Sequence, residues 1–124
     1  MPSPRPVADT VGVPLRPIAA GIIGWQGEAV DPYWIMETGD FTDVLQKTTE
    51  GDVTVTMRGG APVNGCIIVA SSAQVPGDGQ AFVVNHQQLS TTQIRFRALR
   101  ITDGAAPDPV AIPISFHILA PGSP

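Results

Sequence analysis

The chain has a single cysteine, Cys66, which excludes an internal disulfide and leaves the domain to hold together through its core. In its setting, GCIIVASS, that thiol is expected to act as a small buried hydrophobe. Charge is also scarce. Seven Lys and Arg stand against eleven Asp and Glu, a net charge of −4, and phosphate binding wants the opposite balance, so no nucleic-acid partner is expected. No apolar run approaches bilayer length, so no membrane span is predicted. The start, MPSPRPVADT, lacks the apolar segment of a signal peptide, and none is expected. Helix signals are missing as well: no window sets apolar residues three and four apart between caps.

The same scarcity holds for catalytic groups. His86 and His117 are the only histidines, and nothing in the sequence sets either beside Cys66 or a serine. The segment DGAAPDP lacks the ligand spacing of a calcium loop, and the GDG at Gly77–Gly79 does not lead from a strand into a helix. No catalytic residue, metal site or cofactor is therefore expected.

What the chain has in quantity is punctuation. Thirteen glycines and thirteen prolines separate short apolar runs over 124 residues, a length suited to one domain. Strands are predicted at Ile18–Trp25, Tyr33–Glu37, Asp52–Met57, Cys66–Ala70 and Ala81–Asn85, while Phe41–Thr48 is open between a short helix and a bulged strand. In Asp52–Met57, Val53, Val55 and Met57 should point inward and Thr54 and Thr56 outward. Cys66–Ala70 is apolar throughout, as expected of a strand buried on both faces.

The clearest pattern runs from Thr92 to Leu119. Ile94, Phe96 and Ala98 alternate with Arg95 and Arg97; the alternation then slips at Leu99, Arg100 and Ile101, which reads as a bulge or a second covered face. After a turn-rich loop, Val110, Ile112, Ile114, Phe116 and Ile118 keep strict period two, so the two runs suggest a closing hairpin in which Pro113 marks an edge or bulge. The fold expected is all-β: an antiparallel two-layer, jelly-roll-like β-sandwich over residues 18–124. Residues 1–17 carry five prolines and are expected to form an extended arm that anchors through Pro4, Pro6, Val11, Val13 and Leu15.

Two surfaces draw attention. Between Glu28 and Asp52 there are seven acids and one base, and from Arg58 onward Arg58, Arg95, Arg97 and Arg100 outnumber three aspartates. Pairing within the chain would explain this, as would a contact between copies joining Arg95, Arg97, Leu99 and Arg100 to Glu37, Asp40 and Asp43. Trp25, Tyr33 and Trp34 are three of the seven aromatics, and such residues anchor cores and interfaces or build platforms for sugars.

The stretch TQIRFRALRIT, the small-residue loop Thr102–Pro109 and the final run through Phe116 and Ile118 resemble the closing strands of small β-sandwich domains on bacteriophage fibres and related virion appendages. The resemblance covers about a quarter of the chain, and no fibrous repeat accompanies it. It implies a non-enzymatic virion protein of a tailed phage, a short fibre or spike of the tail or head or a capsid decoration protein. Such a protein would be a homotrimer, assembled in the host cytoplasm, with other virion proteins or a host surface receptor as partners. A carbohydrate-binding module using Trp25, Tyr33 or Trp34 is the alternative.

Overall fold

Alternation of side chains about an extended backbone governs most of the molecule. The computed structural model describes residues 14–27, 29–49 and 51–121. Nine strands lie among them: β1 (Leu15–Gly24), β2 (Tyr33–Glu37), β3 (Gln46–Lys47), β4 (Asp52–Thr56), β5 (Ile67–Ser72), β6 (Gln80–Gln88), β7 (Gln93–Thr102), β8 (Asp108–Pro109) and β9 (Ile114–Pro121). They form two antiparallel sheets, one ordered β2-β1-β9-β5 and the other β3-β4-β7-β6 with β8 also on β7. The fold is the all-β two-layer sandwich that the sequence predicts.

The expected closing hairpin is not formed. β7 lies in the middle of one sheet, between β4 and β6, and β9 in the middle of the other, between β1 and β5. Their apolar faces meet across the interior instead. Ile94, Phe96 and Ala98 oppose Ile114, Phe116 and Ile118, all almost fully buried, with the Phe96 and Phe116 rings 4.7 Å apart. Period two is the same for a strand paired with its sequence neighbour and for one packed face to face with it, so alternation alone does not distinguish them.

The strict run of five likewise divides. Asp108 and Pro109 pair with Arg100 and Leu99 on β7, and β9 begins only at Ile114. Between them the chain crosses from one sheet to the other, burying Ala111 and Ile112 on the way. Pro113, which has no N–H to give to a ladder, sits in this crossing, where its carbonyl accepts a bond from Ala73 N at 3.0 Å. The slip at Leu99 is not a bulge either. β7 pairs with β6 in unbroken register from Ile94 to Thr102. What changes at Leu99 is the neighbour on the opposite edge, from β4 to β8.

Gly51 makes that handover. Its carbonyl accepts from Ala98 N at 3.1 Å, and Ala98 O in turn accepts from Val110 N at 3.0 Å. Its φ is +77°, and a Cβ there would stand 2.9 Å from Ala98 O and 3.0 Å from Val110 N. Only glycine fits both the torsion and the space.

Three further strands depart from expectation. β1 starts at Leu15, so the last three residues of the expected arm belong to the sheet, paired with Pro121, Ala120 and Leu119. Pro4, Pro6, Val11 and Val13 lie outside the described residues. Thr54 is buried, not exposed, because it lies between Gln46 and Arg95, whose longer side chains flank it on the outer face. Phe41–Thr48 is not helical: Phe41 bridges to Met57, and only Gln46 and Lys47 are strand.

One side of the sandwich is closed by aromatics. Trp34 stacks on Phe41 at 5.1 Å, and Phe41 meets Phe116 edge-on at 5.4 Å. The Trp34 indole N–H donates to Thr42 O at 3.0 Å, which pins the strap after β2 over the gap. Gly21 makes room for that ring, since a Cβ there would lie 2.6 Å from Trp34 Cζ3. The opposite side is bounded by β5 and β6, the terminal strands of the two sheets, and stays open. The inward-facing Ile68, Ala70, Phe82 and Val84 there are only partly buried.

Candidate assembly surface

β5 was expected to be buried on both faces, and it is partly buried on one. Ile68 and Ala70 turn toward the core, while Ile67 and Val69 are 47% and 51% exposed. The register of the four-stranded sheet shows what they belong to. Across its outer face Ile67 is level with Leu119 and Pro17, Val69 with His117 and Ala20, and Ser71 with Ser115, Ile22 and Met36. These ten residues include no Asp, Glu, Lys or Arg. Leu15 and Pro121 extend the same face at one end. A sheet with one face toward water normally carries polar residues there, and apolar patches rimmed by polar groups mark contact sites.

The edge of this sheet is also unprotected. β5 reads IIVASS, with no charge or proline and an unbroken register to β9. β6, beside it on the other sheet, reads QAFVVNHQQ and also lacks Asp, Glu, Lys and Arg. Edge strands are usually blunted by such features, because their free N–H and C=O groups accept another strand. Between the two edges runs an open groove of about 490 Å³ lined by Ile68, Val69, Ala70, Val84, Asn85 and His86. Val69 belongs to both the groove and the outer face, so the two form one continuous surface.

The residues expected at a subunit contact are arranged differently. Arg97 and Asp52 are cross-strand neighbours, joined by Nε–Oδ1 at 2.6 Å and Nη2–Oδ2 at 3.3 Å. The Asp52 side chain is 3% exposed and that of Arg97 47%. Thr49 donates a further bond to Asp52 at 2.7 Å. The hydrogen bond from Arg97 and the charge of Asp52 together hold the guanidinium pKa above its usual value, against a small opposing effect of desolvation. Arg100 pairs with Asp108 at 2.7 Å and Arg58 with Asp43 at 3.2 Å. Glu37 accepts from Gly39 N, and Asp40 from the Thr38 hydroxyl. Three of the four arginines from Arg58 onward are thus paired with carboxylates inside the chain.

The basic and acidic sets lie on different surfaces. Arg95, Arg97 and Leu99 lie on the outer face of the five-stranded sheet, with Leu99 half-buried between Val83 and Pro109. Arg100 alternates to the other face, and Glu37, Asp40 and Asp43 lie at the end of β2 and in the strap that follows.

The aromatic trio separates as well. Trp25 is fully buried, its indole N–H donating to Val30 O at 2.9 Å, so it is a core residue and not a platform. Trp34 packs into the Phe41–Phe116 cluster. Tyr33 alone is well exposed, at 47%, and its ring covers Gly24.

His117 lines a shallow hollow of about 130 Å³ with Ala20, Ile22, Met36, Thr38 and Ser115. His86 borders a second hollow with Arg95 and Arg97. Neither lining includes a carboxylate. Among the described residues no three His, Cys, Asp or Glu side chains cluster as metal ligands would, and no helix is long and apolar enough to cross a membrane. Comparison with known proteins finds no matching family model, no matching curated protein and no matching solved structure.

The outer face of β5 and β9 escaped prediction although a signal was present. An apolar run with no polar residue at either parity fits a strand covered on both sides by its own fold. It fits equally a strand whose second cover is another molecule.

Proposed function

We propose that this chain is a non-enzymatic structural protein that works as an oligomer, a head or tail accessory protein of a tailed-phage virion. The single observation that carries the oligomer is the uncharged outer face of the four-stranded sheet, continuous with the bare edge of β5. A monomer would leave Met36, Ile67 and Val69 in water, while packing against neighbouring copies would cover them. The virion assignment rests on the resemblance of the C-terminal third to appendage domains. It also draws support from the order of the chain, a Pro-rich arm ahead of a compact β-domain. In this proposal the arm attaches to other virion proteins, and a homotrimer is the assembly expected.

Light scattering on the purified full chain tests the oligomer. A mass near three protomers at micromolar concentration is the expected result. Val69→Lys, at a side chain already half in water, should give a folded monomer, and a wild-type monomer would refute the proposal. Because β1 begins at Leu15, the arm is best removed after Val13. That truncation should keep the fold and the oligomer but lose attachment to particles; unchanged attachment would remove the arm's role.

A further inference from the structure

We propose that the outer face of the five-stranded sheet holds a binding site for a carboxylate on a hydroxylated ligand, an acidic sugar, centred on Arg95. The site stands on the sheet opposite the assembly face, and Arg95, Arg97 and Gln87 lie outside the groove between β5 and β6.

Four side chains form a square on this face. Arg95 and Arg97 are two residues apart on β7 and project to the same side, about 7 Å from each other along the strand. On β6, Gln87 is level with Arg95 and Asn85 with Arg97. Together with His86 they line an open hollow of about 200 Å³. Pockets that enclose a drug-sized ligand run to roughly 300–1,000 Å³, so this one suits a single ring or the end of a chain.

The charges in the hollow are unequal. Arg97 engages Asp52 through both Nε and Nη2, which compensates its charge and leaves Nη1 as a spare donor. Arg95 donates to Gln87 Oε1 and meets no carboxylate among the described residues. One positive charge therefore remains uncompensated, on a chain whose net charge is −4.

The chemistry of the ligand follows from that difference. A single free guanidinium matches a monoanion, and its planar fork fits the two oxygens of a carboxylate. A phosphate dianion would bring more charge than the hollow offsets. The remaining groups, the amides of Asn85 and Gln87, can each both donate and accept, as hydroxyl recognition requires. A carboxylate set among hydroxyls is a uronic acid or a similar acidic sugar. No aromatic residue lines the hollow, so neutral sugars lack a stacking surface there.

The test is a titration of the full chain with glucuronate and galacturonate, with glucose and galactose as neutral controls and inorganic phosphate as the competing anion. Binding is followed by amide chemical shifts in low salt. Uronates should bind with a dissociation constant of about 1 mM, moving Asn85, Gln87 and Arg95 resonances, and neutral sugars should bind at least tenfold more weakly (about 1.4 kcal/mol). Arg95→Gln should abolish the shifts while leaving the melting temperature unchanged. Gln87→Ala, which removes the neighbour of Arg95 without touching its charge, should weaken binding about threefold. Equal binding of neutral sugars, tighter binding of phosphate, full affinity in a folded Arg95→Gln chain, or no uronate binding at about 20 mM would each overturn the proposal.

Discussion

Replacing Gly51 by alanine should be among the most damaging single-methyl changes in this protein, and the structure gives the reason in two separable parts. The first is conformational. An L-residue at a φ of +77° costs about 1–2 kcal/mol, offset by roughly 0.4–1 kcal/mol because alanine also restricts the unfolded chain. Gly65 isolates that part. Its φ is +73°, and a Cβ there would meet nothing within 4 Å, so Gly65→Ala should cost only about 1 kcal/mol.

The second part is steric and belongs to Gly51 alone. The new methyl would press on Ala98 O at 2.9 Å and Val110 N at 3.0 Å, both backbone atoms that cannot swing aside. Relief means separating Gly51 from β7 or β8. That weakens the bonds Ala98 N–Gly51 O and Val110 N–Ala98 O. Leaving such groups unmatched costs about 1–3 kcal/mol each, so Gly51→Ala should lose roughly 2–4 kcal/mol beyond the Gly65 control. With about 4 °C of melting temperature per kcal/mol, that is a further fall of about 8–16 °C. Urea unfolding followed by circular dichroism measures both variants. If Gly51→Ala falls within about 0.5 kcal/mol of Gly65→Ala, the handover from β4 to β8 does not depend on a glycine.

Phe116 touches Phe96, Phe41 and Trp34 at centroid distances of 4.7, 5.4 and 6.0 Å, and Phe116→Ala should cost about 3–5 kcal/mol by the same assay. A loss under about 1 kcal/mol would mean that the aromatic cluster repacks freely. Arg97→Ala should lower the urea midpoint well below that of Arg58→Ala. The first leaves a 3% exposed carboxylate without its charge partner, whereas the partner of Arg58, Asp43, is 92% exposed and rehydrates, so that pair should be worth no more than about 1 kcal/mol. Equal midpoints would show that Asp52 reaches water when Arg97 is gone.

Much of the fold was legible because period two is a local property of an extended chain. Tyr33–Glu37 was bounded to the residue, and the inward set Val53, Val55, Met57, Ile94, Phe96, Ala98, Ile114, Phe116 and Ile118 is buried as its alternation predicts. The glycine after Asn64 takes the positive φ expected at that turn. The candidate site was harder to read. Its uncharged face was missed, and the charged residues expected at a subunit contact were identified from their order along the chain, but which acid meets which base depends on strand pairing. Asp52 and Arg97 are 45 positions apart and become cross-strand neighbours only once β4 lies on β7.

What the sequence alone determined is the all-β character, the inward-facing residues and the exclusion of a disulfide, because each follows from residue type and nearest-neighbour spacing. Which strands are partners was decided by tertiary structure. β7 and β9 look like a hairpin in sequence and are instead the middle strands of opposite sheets, because burying Phe96 and Phe116 against each other places both rings in the interior. The same decision leaves β5 and β6 as bare edges and turns Ile67 and Val69 outward. Hydrophobicity sets how much surface a strand must cover, but only the packing of the whole chain settles which face is left for another molecule.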